Sequence, residues 1–207
     1  MKTRVRKCGM GVLFFLSTAV ACGLAQASDQ SVTIDRDGLN FSVSGTFYSG
    51  SVSGSSNTGR FTSVGMGYGL ASHFDLTLRV YSGDMTFPKG PGLPLTGSNA
   101  FAGGGIELAY FLDRVSAWSP FVSCGYDLVT AIENKDVAYN LGYRGYGLQA
   151  GLGIEYAVSE AFGAAVGFRY YHIRFRDLNG TAPKKAPVFV PFSSNLVSFS
   201  LVLRYYP

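Results

Sequence analysis

The stretch Tyr146-Gly147-Leu148-Gln149-Ala150-Gly151-Leu152-Gly153-Ile154-Glu155-Tyr156-Ala157-Val158 decides the fold. Its even positions, from Tyr146 and Leu148 to Tyr156 and Val158, are all apolar. Its odd positions, Gly147, Gln149, Gly151, Gly153, Glu155 and Ala157, are small or polar. A strand points successive side chains to opposite faces, so this period of two is a strand with one apolar face.

Working outward, the same split recurs along the chain. Leu39, Phe41, Val43 and Phe47 alternate with Asn40, Ser42, Ser44, Thr46 and Tyr48. Val64, Met66, Tyr68 and Leu70 alternate with Ser63, Gly65, Gly67 and Gly69, and Phe74, Leu76, Leu78 and Val80 with Asp75, Thr77, Arg79 and Tyr81. Further strands run through Ile106–Leu112, Val122–Leu128, Phe162–Tyr170 and Val197–Tyr205, with Glu107, Asp127, Arg169 and Arg204 on their second faces. That makes eight strands, each able to supply the roughly 9–11 tilted residues that cross a bilayer. An even number of strands suits a bacterial single-chain barrel, with both ends on the periplasmic side. The expected fold is all-β, an eight-stranded antiparallel up-and-down transmembrane β-barrel.

Which face meets which medium follows from volume. An eight-stranded barrel has an interior only just wide enough for side chains to fill. The Leu, Ile, Val, Phe, Met and Tyr residues of the apolar face exceed that space, whereas the glycines, serines and a few charges do not. The alternative, a soluble barrel with the apolar face inside, would also need an exterior rich in Lys and Glu. Charged residues are 14% of this chain and glycine 27 of 207, against about 25% charged in an average soluble domain. The apolar face is therefore expected to meet lipid.

The N-terminus reads as an export signal. Lys2, Arg4, Arg6 and Lys7 precede the apolar run Gly11–Ala21, and Ala25-Gln26-Ala27 offers a small-x-small cleavage site. The run is short of the roughly 20 residues of a spanning helix. Residues 1–27 are expected to be removed, 28–38 to lead in, and 39–207 to form the barrel. Thr18-Ala19-Val20-Ala21-Cys22 permits a second reading, a lipoprotein box with Cys22 lipidated, but Ala19 stands where such boxes usually have Leu. Four of the 17 basic residues lie in 1–27, leaving 13 basic against 13 acidic. The basic charge of the full chain therefore gives no argument for nucleic acid. After cleavage Cys124 alone remains, so no disulfide framework is expected.

The connections should alternate short inside and long outside. The inner links are Ser72-His73, Asp113 to Trp118 and Ser159-Glu160-Ala161. The outer links are Gly50 to Arg60, Asp84 to Ser98, Ile132 to Tyr143 and Arg174 to Ser193, the first a Gly/Ser-rich loop. Phe74, Trp118, Tyr156, Phe162 and Tyr205 near the inner ends, and Phe47, Tyr146 and Tyr170 toward the outer, fit two interfacial girdles.

Pro120-Phe121-Val122-Ser123-Cys124-Gly125-Tyr126 resembles the Pro-aromatic-Val-small-small-Gly strand opening of the OmpA-like and OmpX-like small barrels, and Val158-Ser159-Glu160-Ala161-Phe162 resembles their short inner hairpins. The resemblance spans residues 39–206. It implies insertion by the barrel assembly machinery, which reads an aromatic-rich last strand; Leu201, Leu203 and Tyr205 fit that signal. The ending Tyr205-Tyr206-Pro207 departs from the terminal Phe usual in the family. No peptidoglycan-binding domain follows strand eight in this sequence.

Arg79, Arg169 and Arg204 are expected to face inward with Glu107, Asp127 and Glu155. They form either a paired plug or the lining of a narrow pore; the many inward glycines leave room for a small water leak. In the fourth outer loop Arg174, Arg176, Lys184 and Lys185 face Asp177 alone, a candidate contact for lipopolysaccharide phosphates, with Val188, Phe189, Val190 and Phe192 as apolar surface beside them. The competing reading is that these residues extend strands seven and eight above the membrane. A lipid A deacylase would need a His with a Ser two residues on and a carboxylate, but His172 is followed by Ile173-Arg174 and His73 lies in an inner turn. Gly103-Gly104-Gly105 lacks the Lys-Ser/Thr of a phosphate loop and reads as strand. No metal-ligand spacing or cofactor motif is present. The expected protein is a non-enzymatic, monomeric outer-membrane barrel with exposed loops; a diffusion pore stands second and a lipid-modifying enzyme third.

Overall fold

The computed structural model describes residues 32, 34–52, 55–71, 73–87, 97–112, 117–132, 142–179 and 191–207. They form one closed antiparallel barrel in chain order: β1 (Gly38–Val52), β2 (Ser55–Ala71), β3 (Phe74–Phe87), β4 (Gly97–Phe111), β5 (Trp118–Ile132), β6 (Gly142–Ser159), β7 (Phe162–Asn179) and β8 (Phe192–Tyr205). β8 returns to β1, pairing Phe41 with Tyr205, so no edge is left unpaired, as a sheet in lipid requires. The strands are staggered. A row starting at Val43 passes Val64, Val80, Gly104, Leu128, Tyr146 and Arg174 and ends on Ser193. The closing pair instead joins Val43 to Leu203, ten residues further along β8. That shear tilts every strand to the barrel axis.

The apolar face is outside. Most of its large side chains stand 36% to 62% exposed, among them Leu76, Val80, Leu128, Leu152 and Val197. The opposite face is buried, so the soluble-barrel alternative is excluded. Ring pairs gather at the inner rim, with Trp118 against Tyr156 at 4.6 Å, Phe162 against Tyr205 at 4.9 Å and Phe74 against Tyr110 at 5.0 Å.

Two expectations need correction. The first outer link is not an eleven-residue loop: β1 and β2 stay paired up to Val52 opposite Ser55. This link is therefore shorter than the inner link between β4 and β5. The Gly/Ser run pairs because Gly59 leaves space for the ring of Tyr48, which a Cβ there would strike. The interior glycines, too, leave far less room than expected. A Cβ at Gly67 would come within 2.5 Å of Asn40 Oδ1, and one at Gly151 within 2.7 Å of Arg169 Cγ. The missing side chains are the space that long neighbours occupy.

Above the lipid belt the faces exchange chemistry. On β7, Phe162, Val166, Phe168 and Tyr170 point out, with Gly163 and Arg169 among the inward residues. Past Tyr170 the inward residues are Tyr171, Ile173 and Phe175, all buried, and the outward ones are His172, Arg174 and Arg176. β3 switches likewise: Val80 is exposed, and Tyr81 and Met85 are buried. A strand leaving lipid for water needs a polar exterior, and its apolar side chains turn inward.

Candidate functional site: the filled lumen and the outer rim

The lumen holds three stacked regions. At mid-height, β3, β4, β5, β6 and β7 bring together Arg79, Glu107, Asp127, Gln149 and Arg169. The Arg79 guanidinium donates through Nη2 to Asp127 Oδ2 at 2.9 Å and to Gln149 Oε1 at 2.7 Å, and its Nη1 lies 3.2 Å from Glu107 Oε2. Arg169 Nη2 donates to Glu107 Oε1 at 2.9 Å, and Gln149 Nε2 to Glu107 Oε2 at 3.2 Å. All are less than a tenth exposed. Two cations face two anions, so the layer is neutral, as burial in a low-dielectric interior demands.

Nearer the inner mouth lies a second layer. Arg204 Nη1 donates to Glu155 Oε2 at 3.0 Å and lies 3.9 Å from Asp75 Oδ2, which Asn40 Nδ2 reaches at 3.2 Å. Arg36, ahead of β1, donates to Glu155 Oε1 through Nε at 3.1 Å and Nη2 at 3.0 Å, and to Ser119 Oγ at 2.9 Å. The Tyr206 hydroxyl donates to Glu155 Oε1 at 3.1 Å. Burial pushes the Tyr206 phenol well above its usual range, so it stays a neutral donor. The Phe111 ring lies near two guanidiniums, 4.7 Å from that of Arg36 and 5.4 Å from that of Arg204. Between the two layers a cavity of about 20 Å³ is lined by Ser42, Ser44, Ser63, Thr77 and Val202 with the charged heads, room for a single water.

The third region fills the outer half. Tyr48, Phe61, Tyr81, Met85, Phe101, Val129, Tyr143, Tyr171, Ile173, Phe175 and Leu196 form one buried cluster. Phe61 lies 5.1 Å from Tyr81 and 6.3 Å from Phe101 and Tyr171, in tilted and edge-on contacts. Tyr171 joins this cluster to the ions below, its hydroxyl accepting from Arg79 Nη1 at 3.4 Å.

The six inward charges expected from alternation fall in two layers. Arg79, Glu107, Asp127 and Arg169 meet at mid-height, and Glu155 and Arg204 meet below. Sequence reasoning missed Arg36, which lies outside any alternating stretch. It also left Asp75 out of the network, although its parity placed it inward, and it missed the aromatic cluster. The signal for the cluster was the change of parity after Tyr170 and Val80.

At the outer rim, Arg174 and Arg176 lie on β7, pointing outward and exposed, so the strand-extension reading holds for them. Arg176 Nη2 donates to Tyr146 OH at 2.9 Å, with the guanidinium 4.8 Å from the ring centre. Arg144 is exposed opposite Asp177. Lys184, Lys185, Val188, Phe189 and Val190 lie outside the described residues. Phe192 is not apolar surface: it stacks on Phe175 at 4.9 Å and meets Tyr143 edge-on at 5.0 Å. Of the two histidines, His73 Nδ1 is 2.8 Å from Phe111 O and His172 Nδ1 is 2.8 Å from Asn195 Oδ1. Gly103, Gly104 and Gly105 are mid-β4, as expected.

No family model matches this chain, and no curated protein sequence does. Solved structures do. Neisserial surface protein A superposes with a TM-score of 0.61 at 15% identity, over 83% of this chain and 98% of that one. The outer membrane protein AlkL, determined by solid-state NMR in DMPC bilayers, gives 0.50 at 14% identity, over 87% and 95%. At these identities what is shared is the fold, the small outer-membrane β-barrel. The exposed apolar belt and closed ladder fit that membrane setting.

Proposed function

We propose that this chain is a plugged, non-conducting and non-enzymatic structural barrel of the outer membrane, exported with a cleaved signal and inserted by the barrel assembly machinery. The filled lumen carries the reading. Two neutral ion layers and an aromatic cluster occupy it in succession, and a water file through them would have to part buried ion pairs and rings. In planar bilayers the purified protein is expected to give no unitary conductance steps. Reproducible open-channel steps would overturn the reading in favour of a narrow pore.

Its outward arginines hold the barrel to lipopolysaccharide. Arg174 is exposed without a partner among the described residues, and Arg144 and Arg176 stand near it above the last lipid-facing residues, Leu148 and Tyr170. Lys184 and Lys185 add two cations to the sequence that follows β7. Guanidiniums at that height match phosphate in charge and geometry. Arg174→Ala with Arg176→Ala is expected to lower co-purifying lipopolysaccharide about thirtyfold, at about 1 kcal/mol per residue near an anionic surface. Unchanged co-purification would remove this part of the proposal and leave the plugged barrel standing.

A further inference from the structure

The residues just ahead of β1 fold back into the inner mouth. Ile34 is 4% and Arg36 2% exposed. Ile34 packs with Ala157 and Tyr206, which is itself tied down by its N–H donating to Ala161 O at 2.8 Å.

Three glycines fit this path. Gly38 has φ +97°, the left-handed region that turns the chain from the strap into β1. On β2, a Cβ at Gly69 would strike the carbonyl oxygen of Arg36 and lie 3.2 Å from Asp37 Cα. On β7, a Cβ at Gly163 would lie 3.1 Å from Ile34 Cδ1. The strap thus runs through a notch at Gly69 that only glycine leaves open and packs closely over Gly163.

The strap also supplies a charge that the strands lack. Among the described residues, the barrel itself gives the inner layer Asp75 and Glu155 against Arg204 alone; Arg36 makes it neutral. The hydrogen-bonded ladder does not need the strap, because β1 closes on β8 from Phe41 onward.

We propose that residues 34–37 are a latch, separable from the closed barrel, and that the pocket beneath it is a binding site for a guanidinium or ammonium group. Arg36 is the resident occupant. When the latch swings out on Gly38, Glu155, Asp75 and Ser119 face the inner mouth with a net negative charge and take a cationic group from the aqueous side.

The test uses the exported chain, cleaved after Ala27 so that Cys8 and Cys22 are gone, with Cys124→Ser and Ala157→Cys, which places a single thiol under the latch. Its reaction with small cationic and anionic methanethiosulfonate reagents is timed. Gly69→Val excludes the latch sterically and keeps every pocket charge, and Arg36→Ala removes the occupant. Both are expected to label at least about tenfold faster than the intact latch, because local opening no longer limits the reaction. The cationic reagent should lead the anionic one several-fold. Millimolar guanidinium should slow labelling of Arg36→Ala. Boiled and unboiled gel mobility shows that each barrel is closed. If either closed variant labels at the rate of the intact latch, the strap is not separable and the proposal fails. Fast labelling without preference for the cationic reagent overturns the cation site. Conductance is unaffected in either case, since the aromatic cluster still fills the outer half.

Discussion

The inner half of the lumen is packed with Arg36, Arg79, Arg169 and Arg204 against Asp75, Glu107, Asp127 and Glu155, while the outer half is packed with rings and aliphatic chains around Phe61. Both halves are closed, with opposite chemistry, because the exterior differs. Where lipid surrounds the strand, apolar side chains are drawn outward and polar ones are left for the interior. There they must be paired, since an unpartnered buried charge is prohibitively costly. Where water surrounds the strand, the outward positions go to His172, Arg174 and Arg176 and the apolar residues fill the inside. The contents of the lumen complement the solvent outside at the same height.

The two halves should therefore fail differently. The largest effect is expected at Glu155, which two arginines and Tyr206 address together. Glu155→Gln leaves two buried guanidiniums without their shared carboxylate and should cost about 3–5 kcal/mol, read as a lower urea midpoint for the loss of the unboiled gel form. A shift of a few tenths of a kcal/mol would mean that water reaches the inner layer. The smaller effect is expected at Met85, fully buried in the outer cluster. Met85→Leu conserves volume and should cost less than about 1.5 kcal/mol in the same assay. A loss equal to that of Glu155→Gln would show that the outer half is as exacting as the ionic one, and the contrast would fall.

Much of the fold is legible in the sequence. Alternation around Leu148–Val158 and its seven counterparts located each strand and its lipid face, because period two is a local property and lipid tolerates no polar exterior. The strand ends were not legible. Gly50–Arg60 looked like a loop because glycine and serine usually break strands, but here Gly59 admits the Tyr48 ring and the ladder continues. Phe192 looked exposed for a similar reason: its partners Tyr143 and Phe175 belong to β6 and β7, whose upward reach only the paired ladder sets.

By itself the sequence determined the number of strands, the face that meets lipid, and the set of inward charges on those strands, since each follows from residue type and parity within a short segment. Tertiary structure decided which charges meet. The ten-residue stagger on closure sets which inward positions share a height, so Arg79 reaches Asp127 and Glu107 while Arg204 reaches Glu155. It also brought Arg36 to Glu155, 119 residues away in the chain, through a notch at Gly69 and close over Gly163. No local pattern encodes that approach, because ion pairing in the lumen depends on distances that exist only after the barrel has closed.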